Sequence, residues 1–427
     1  MAEDRSTRIG FLADGDPGTE MMSALYEYDT TGVRLHVPFL SKEDPRSRWW
    51  SHGVLHGDDP DRTKYRYQPP SELDYADDRG TVALLGCVSG RANTAVFRGV
   101  GRGTVRACYA VEGARSAAHY KVLNGFRSEI DGLGHWLGLS AHETIVKVPK
   151  DGGGLEITTT LKSVDALPLA RRMNLRGVVS GTGPGAWSPD VAYTSRVFIE
   201  TFTKSPAAWR SHVDLHSCIR NLVRVAAWKP INFQAHLAAN VLEDVERDGE
   251  ACHQWREVRT ATTGIAEGVW IPKADRFLFR FSDIGARGVS RWLQLATRYS
   301  RGIVPFVGLL DLEGATVDAF ISQLGIALEA VGYEALTESG KSESSANKTN
   351  VSMRIDHLLS EVAGDLSFST VAFGRDFADS YNSVKHANRP TVAPDVKVEH
   401  LQQGVELLRV WIARRIGVRS VTLAESR

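Results

Sequence analysis

A chain of 427 residues is long enough for two or three domains with sizeable cores. Its 42% hydrophobic and 24% charged content is that of a soluble globular protein. Lys+Arg and Asp+Glu both number 51, so the net charge is zero and any polyanion site must be a local patch. Four cysteines, Cys87, Cys108, Cys218 and Cys252, are widely spaced with no C-x-x-C. That argues against a disulfide framework or zinc ribbon and fits reduced thiols in a cytoplasmic protein. The opening MAEDRSTRIG lacks the apolar core of a signal peptide, and no run approaches 18 apolar residues, so no membrane span is expected.

Residues 1–165 carry strand patterns at 24–28, 33–39, 81–87, 94–100, 104–111, 144–148 and 155–161. In TVRACYAV the alternation would place Val105, Ala107, Tyr109 and Val111 on one face. Gly/Asp-rich breaks separate these runs, and a sandwich or partly open barrel fits the spacing. GVGRG at 99–103 lacks the Lys-Ser/Thr of a P-loop and reads as a hairpin turn. SEIDGLGHWLGL predicts a short helix, with Ser128 as cap and Ile130, Leu133 and Leu137 at helical spacing. The long loop from His52 to Pro70, with His56, Tyr65 and Tyr67, is a candidate binding loop.

Residues 166–310 form a mixed α/β region with strands expected at 175–179 and 191–200. The run SPAAWRSHVDLHSCIRNLVRVAAWKP predicts a helix capped by Ser205, with Pro206 in the first turn and Pro230 as its stop. His212 and His216 stand four apart on it, the spacing of two zinc ligands, but HVDLH lacks the glutamate of HExxH and offers no third ligand. RFLFRFSD reads as a strand and VSRWLQLATRYS as an amphipathic helix.

Residues 311–427 are helical throughout and suggest an antiparallel four-helix bundle. Val317, Phe320, Ile321, Leu324, Ala327, Leu328 and Val331 form the stripe of a first helix. A polar link at 337–350, expected to be mobile, leads to a second helix through Ile355, Leu358, Leu359 and Val362. The fourth helix is expected at 396–416. The third, FGRDFADSYNSVKHANR at 373–389, carries the chemistry. Phe373, Phe377 and Val384 fall on one side, while Arg375, Asp379, Asn382, His386 and Arg389 fall on the other, beside Lys385. An imidazole flanked by cations and an amide can handle a phosphodiester; the plain alternative is a solvated helix face.

The order of these segments resembles the ApeA-type HEPN family of bacterial anti-phage proteins. GTVALLGC precedes an "L..WL" segment, FRSEIDGLGHWLGL; the SPAAWR helix follows a β segment. FRFSDIGARGVSRWLQLATRYSRGI leads into FISQLGIALEAVGYEAL, and YNSVKHANR stands where HEPN domains carry their motif. The resemblance implies an α+β multidomain protein: a β-rich N-terminal domain, a mixed middle region and a C-terminal all-α HEPN-type bundle. It implies a metal-independent endoribonuclease without cofactor, acting as a homodimer on RNA, with tRNA as a family-level guess. A phage-derived trigger would release the restrained activity.

HEPN nucleases carry Arg, four to six residues, then His, often with a polar residue after the Arg. On that pattern Asn382 and His386 match, and Tyr381 stands at the arginine position. Arg375 lies on the same helix face but about 16 Å from His386 at 1.5 Å per residue. The catalytic set is therefore His386, Asn382 and Arg389, with Lys385, Tyr381 and Arg375 toward RNA and phosphate. Beside this stand two other readings: a sensor or RNA-binding protein whose bundle only dimerises, and a metal-dependent hydrolase built on His212 and His216.

Overall fold

The computed structural model describes residues 6–15, 20–29, 31–39, 46, 49–50, 68–95, 100–148, 154–183, 193–261 and 277–426. Its strands are β1 (Ser6–Ala13), β2 (Met22–Asp29), β3 (Gly32–Phe39), β4 (Glu72–Asp77), β5 (Gly80–Leu85), β6 (Val88–Ala95), β7 (Val100–Ala107), β8 (Tyr109–Glu112) and β9 (Leu123–Ile130). They continue as β10 (His142–Lys147), β11 (Glu156–Leu161), β12 (Leu167–Ala170), β13 (Leu175–Thr182), β14 (Thr194–Ala207), β15 (Phe233–Ala239), β16 (Val245–Arg247), β17 (Glu250–Cys252) and β18 (Arg256–Arg259). The helices are α1 (Leu133–Leu137), α2 (Trp209–Ala227), α3 (Phe281–Arg298), α4 (Ser300–Gly308), α5 (Val317–Glu338), α6 (Glu343–Asn347), α7 (Val351–Val362), α8 (Phe373–Lys385), α9 (Pro394–Ile416) and α10 (Ser420–Glu425). The N-terminal part is β-rich and the C-terminal part helical.

The chain forms two compact units. One comprises residues 1–131, 198–214 and 232–268; the other comprises 132–197, 215–231 and 269–427. The polypeptide thus passes between units several times, where three consecutive segments with breaks at 165 and 310 were expected.

The first unit is an antiparallel sheet in the order β9-β15-β18-β8-β5-β4-β1-β2-β3-β7-β6, with residues 198–207 of β14 beside β9. Both faces of β5 are covered, which is why GTVALL is nearly continuously apolar. Val82 and Leu84 enter one core with Tyr26, Leu35 and Tyr75, while Ala83 and Leu85 enter another with Tyr120, Phe126 and Trp209. TVRACYAV is not one strand: it breaks at Cys108, whose N–H donates to Leu85 O at 2.9 Å. Val105 and Val111 consequently lie in different cores, not on one face. Residues 100–103 of GVGRG belong to β7 rather than to a turn, and Gly101 and Gly103 lie beneath the rings of Phe39 and Trp50, where a Cβ would overlap them.

Three other local expectations change for physical reasons. Ser128 is not a helix cap but a buried residue of β9, paired through its Oγ with His236 Nδ1 at 2.8 Å; the helix is limited to α1, after Gly132 turns the chain at φ +68°. Ser205 and Pro206 lie in β14, because the Asn124 amide donates to Thr203 O and Lys204 O and holds the chain extended until Trp209. Residues 277–280 are not a strand: Leu278 N–H donates to Ala226 O, Phe279 O accepts from Trp136 Nε1, and α3 begins at Phe281.

In the second unit α5, α7, α8 and α9 pack on one another as the expected bundle. The Thr316 hydroxyl and Asn350 carboxamide cap α5 and α7. Leu324, Leu328, Leu358, Phe377, Leu408 and Trp411 are buried at its centre. The 337–350 link is structured, contrary to expectation. It holds the end of α5 and all of α6, whose Ala346 is fully buried. Arg354 of α7 fixes it, donating to Ala346 O, Thr349 Oγ1 and Glu329 Oε1.

Candidate functional site

The sequence of α8 places Phe373, Phe377 and Tyr381 one turn apart, and all three are buried in the bundle. This stripe fixes the helix's rotation. Ser380, also buried, pairs with His400 Nδ1 of α9 at 2.8 Å and anchors the last turns. The opposite side is open to solvent: Arg375, Asp379 and Lys385 are exposed, and Asn382 is half-buried.

α8 stops at Lys385, four residues earlier than the expected 373–389 helix. His386 N–H still donates to Asn382 O at 2.9 Å, closing the last turn, but its φ of −126° and ψ of 111° take the chain out of the helix. A turn follows, with Arg389 N–H donating to His386 O at 3.0 Å, and Pro390 prevents the helix from resuming. His386 and Arg389 therefore share a turn rather than a helix face. Both are exposed. Among the described residues, the side chains of Asn382, His386 and Arg389 make no hydrogen bond or ion pair. The corner thus gathers an amide, an imidazole and a guanidinium, with the Lys385 ammonium 5.2 Å from the Tyr381 ring centre.

Two expected site residues are not brought to this corner. Tyr381 is 4% exposed, with its ring against Gly325 of α5, where a Cβ would overlap it. It is a core residue of the bundle. Arg375 lies in the first turn of α8, near the opposite end of that helix, and pairs with Asp376 at 3.2 Å. The partly buried Ser380–His400 pair is not legible in the sequence, because a serine inside an apolar stripe announces a partner only once α9 is placed beside it.

His212 and His216 of α2 are both fully buried. His212 has Nδ1 against Thr201 Oγ1 at 2.7 Å and Nε2 toward Leu123 O at 3.4 Å. Burial lowers its pKa to about 4. Burial also pushes the Cys218 thiol up to about 12, far from thiolate chemistry. Among the described residues no three His, Cys, Asp or Glu side chains group as metal ligands. The candidate loop at 52–70 lies outside the described residues except for its last three positions.

Residues 40–293 match the family ApeA N-terminal domain 1, and residues 327–422 match the Apea-like HEPN domain. The chain belongs to the ApeA family. The first match covers more than half of the chain, and the second contains the whole α8 corner. This makes it an anti-phage HEPN-family protein, as its segment order suggested. The ApeA N-terminal match spans both regions that the sequence divided at 165. Neither a curated protein nor a solved structure matches the chain. Among the described residues no helix is long and apolar enough to cross a membrane.

Proposed function

We propose that this ApeA-family protein is a cytoplasmic, metal-independent endoribonuclease, restrained until infection, whose HEPN bundle cuts RNA at the α8 corner. The observation that carries the reading is His386: exposed, released from the helix end and flanked by Asn382, Lys385 and Arg389, inside the HEPN match.

RNA supplies its own nucleophile in the 2′-OH. His386 removes that proton as the oxygen attacks the adjacent phosphorus. The P–O5′ bond breaks, leaving a 2′,3′-cyclic phosphate and a 5′-OH. An imidazole is suited to this transfer because its ordinary pKa lies near neutrality. The Arg389 fork stabilises charge on the equatorial phosphoryl oxygens, with Lys385 as a second cation. Asn382 orients the imidazole or a phosphate oxygen. A proton must also reach the leaving 5′-oxygen, and a second copy of the motif in a homodimer supplies the acid. tRNA is one candidate substrate.

The alternative is a non-catalytic bundle that binds RNA or dimerises. Its specific support is Tyr381, since the HEPN arginine position is here filled by a buried aromatic. Comparing His386→Ala with the native chain separates the readings. Loss of RNA cleavage with unchanged melting temperature supports the nuclease; equal effects of both chains on RNA and on phage growth support the binding module.

A further inference from the structure

In a protein of zero net charge, a polyanion site requires a local excess of cations. The second unit holds one away from the α8 corner. Strands β12 and β13 pair antiparallel and are joined by Arg171, Arg172, Met173 and Asn174. Met173 and Asn174 both take left-handed backbone, with φ of 51° and 49°, which is costly for methionine. Arg171 and Arg172 stand exposed at this tip.

Helix α3 packs against β12. Gly285, at φ +56°, breaks the helix just after its first turn, and the regular helix then presents Arg287, Ser290, Gln294 and Arg298 along one side. Between tip and helix lies a groove of about 1060 Å³ walled by Arg171, Arg172, Arg287 and Arg298. Among the described residues no carboxylate lines it. Arg298 is held by Glu338 at 3.0 Å, but the guanidinium groups of the other three make no hydrogen bond or ion pair among the described residues.

We infer that this groove binds the phosphodiester backbone of folded, helical RNA. Guanidinium forks fit phosphate oxygens bidentately, and the neutral Asn174, Ser290 and Gln294 suit 2′-hydroxyls. Among the described residues no aromatic ring lines the groove, so these residues offer no platform for stacking the bases of a single strand. Its open form and size exceed what a mononucleotide fills.

The groove does not touch the scissile bond. Gly288 of α3 backs onto Ile416 O, at the C-terminal end of α9. His386 precedes the other end of α9, and 23 residues of helix span roughly 35 Å at 1.5 Å each. The contact therefore reaches RNA flanking the cut, which rests on the ribonuclease reading above, although binding itself does not.

The test titrates labelled RNA into the full chain bearing His386→Ala, so that no probe is cut. Probes are an RNA stem-loop, an unstructured single strand of equal length, and ATP. Arg171→Gln/Arg172→Gln/Arg287→Gln should weaken stem-loop binding by at least about tenfold near 0.1 M salt and lower the slope of log K against log salt by about 3. The matching triple Lys substitution should keep most of that slope, which a purely structural role would not predict. Unchanged stem-loop affinity and slope in the triple Gln variant would overturn the proposal, as would single strand or ATP binding as tightly through the same arginines. Absence of His386-dependent RNA cuts in infected cells would remove the ribonuclease reading without touching this titration.

Discussion

Tyr381 and His386 differ in one respect that decides their roles: the tyrosine faces the α5 backbone and the histidine faces water. Restoring the HEPN arginine by Tyr381→Arg should therefore not help, because it would place a guanidinium against Gly325 in the bundle core. A loss of several kcal/mol is expected, on the order of that for any unpaired buried charge, and chemical denaturation would measure it. Arg389→Ala should instead lower RNA cleavage about as far as His386→Ala, with melting temperature unchanged; intact cleavage would move the cation's role to Lys385 or to the partner. His212 gives a pH dependence. Its folded-state pKa near 4 lies below the ordinary 6.5, so its contribution is present above pH 6.5 and is lost as pH falls toward 4. Between pH 6.5 and 5 the loss should be about 2 kcal/mol, visible in urea titrations and reduced in His212→Asn.

At the scale of elements, α6 and its ties make the sharpest departure from a plain reading of composition. Ser and Lys in 337–350 suggested a free link, yet Arg354 binds it to both α5 and α7. Arg354→Ala should lower stability by about 1–3 kcal/mol, and a Gly/Ser replacement of 337–350 should lower melting temperature clearly, since both leave buried groups unpaired. The bundle's four helices were legible because their stripes repeat at 3.6 residues over long windows, as in Leu324, Leu328 and Val331. The end of α8 was not, because Pro390 limits a helix without fixing which preceding residue leaves it. In the β-rich part, alternation found β2, β3 and β5 but ran through Cys108. That break is set by Leu85 on another strand, a long-range bond invisible to a local pattern. Ser205-Pro206 misled for the same reason: local capping chemistry lost to pairing with Leu123 and the Asn124 amide.

For the whole molecule, the HEPN match begins at 327 but the compact unit around it does not. Arg409 of α9 donates to Val225 O and Ala226 O, Asp311 pairs with Arg224 at 2.9 Å, and α3 packs on α9. A fragment starting at 311 severs these, and should unfold at a clearly lower temperature than the intact chain. Equal thermal stability would show that the bundle stands alone. Dimerisation is a separate expectation, since the α8 corner holds one imidazole and the reaction needs a base and an acid. Sedimentation of the full chain at micromolar concentration should give a dimer, and active monomer would contradict the pairing.

The most direct measurement of the central claim is the chemistry of RNA ends in phage-infected cells carrying either the native chain or His386→Ala. The account predicts new cuts bearing 2′,3′-cyclic phosphate and 5′-OH ends with the native chain, reproduced in EDTA by native protein purified from infected cells, and absent with the variant although it folds and accumulates equally. Protection from phage without any such cuts, or the same cuts with both chains, would contradict it.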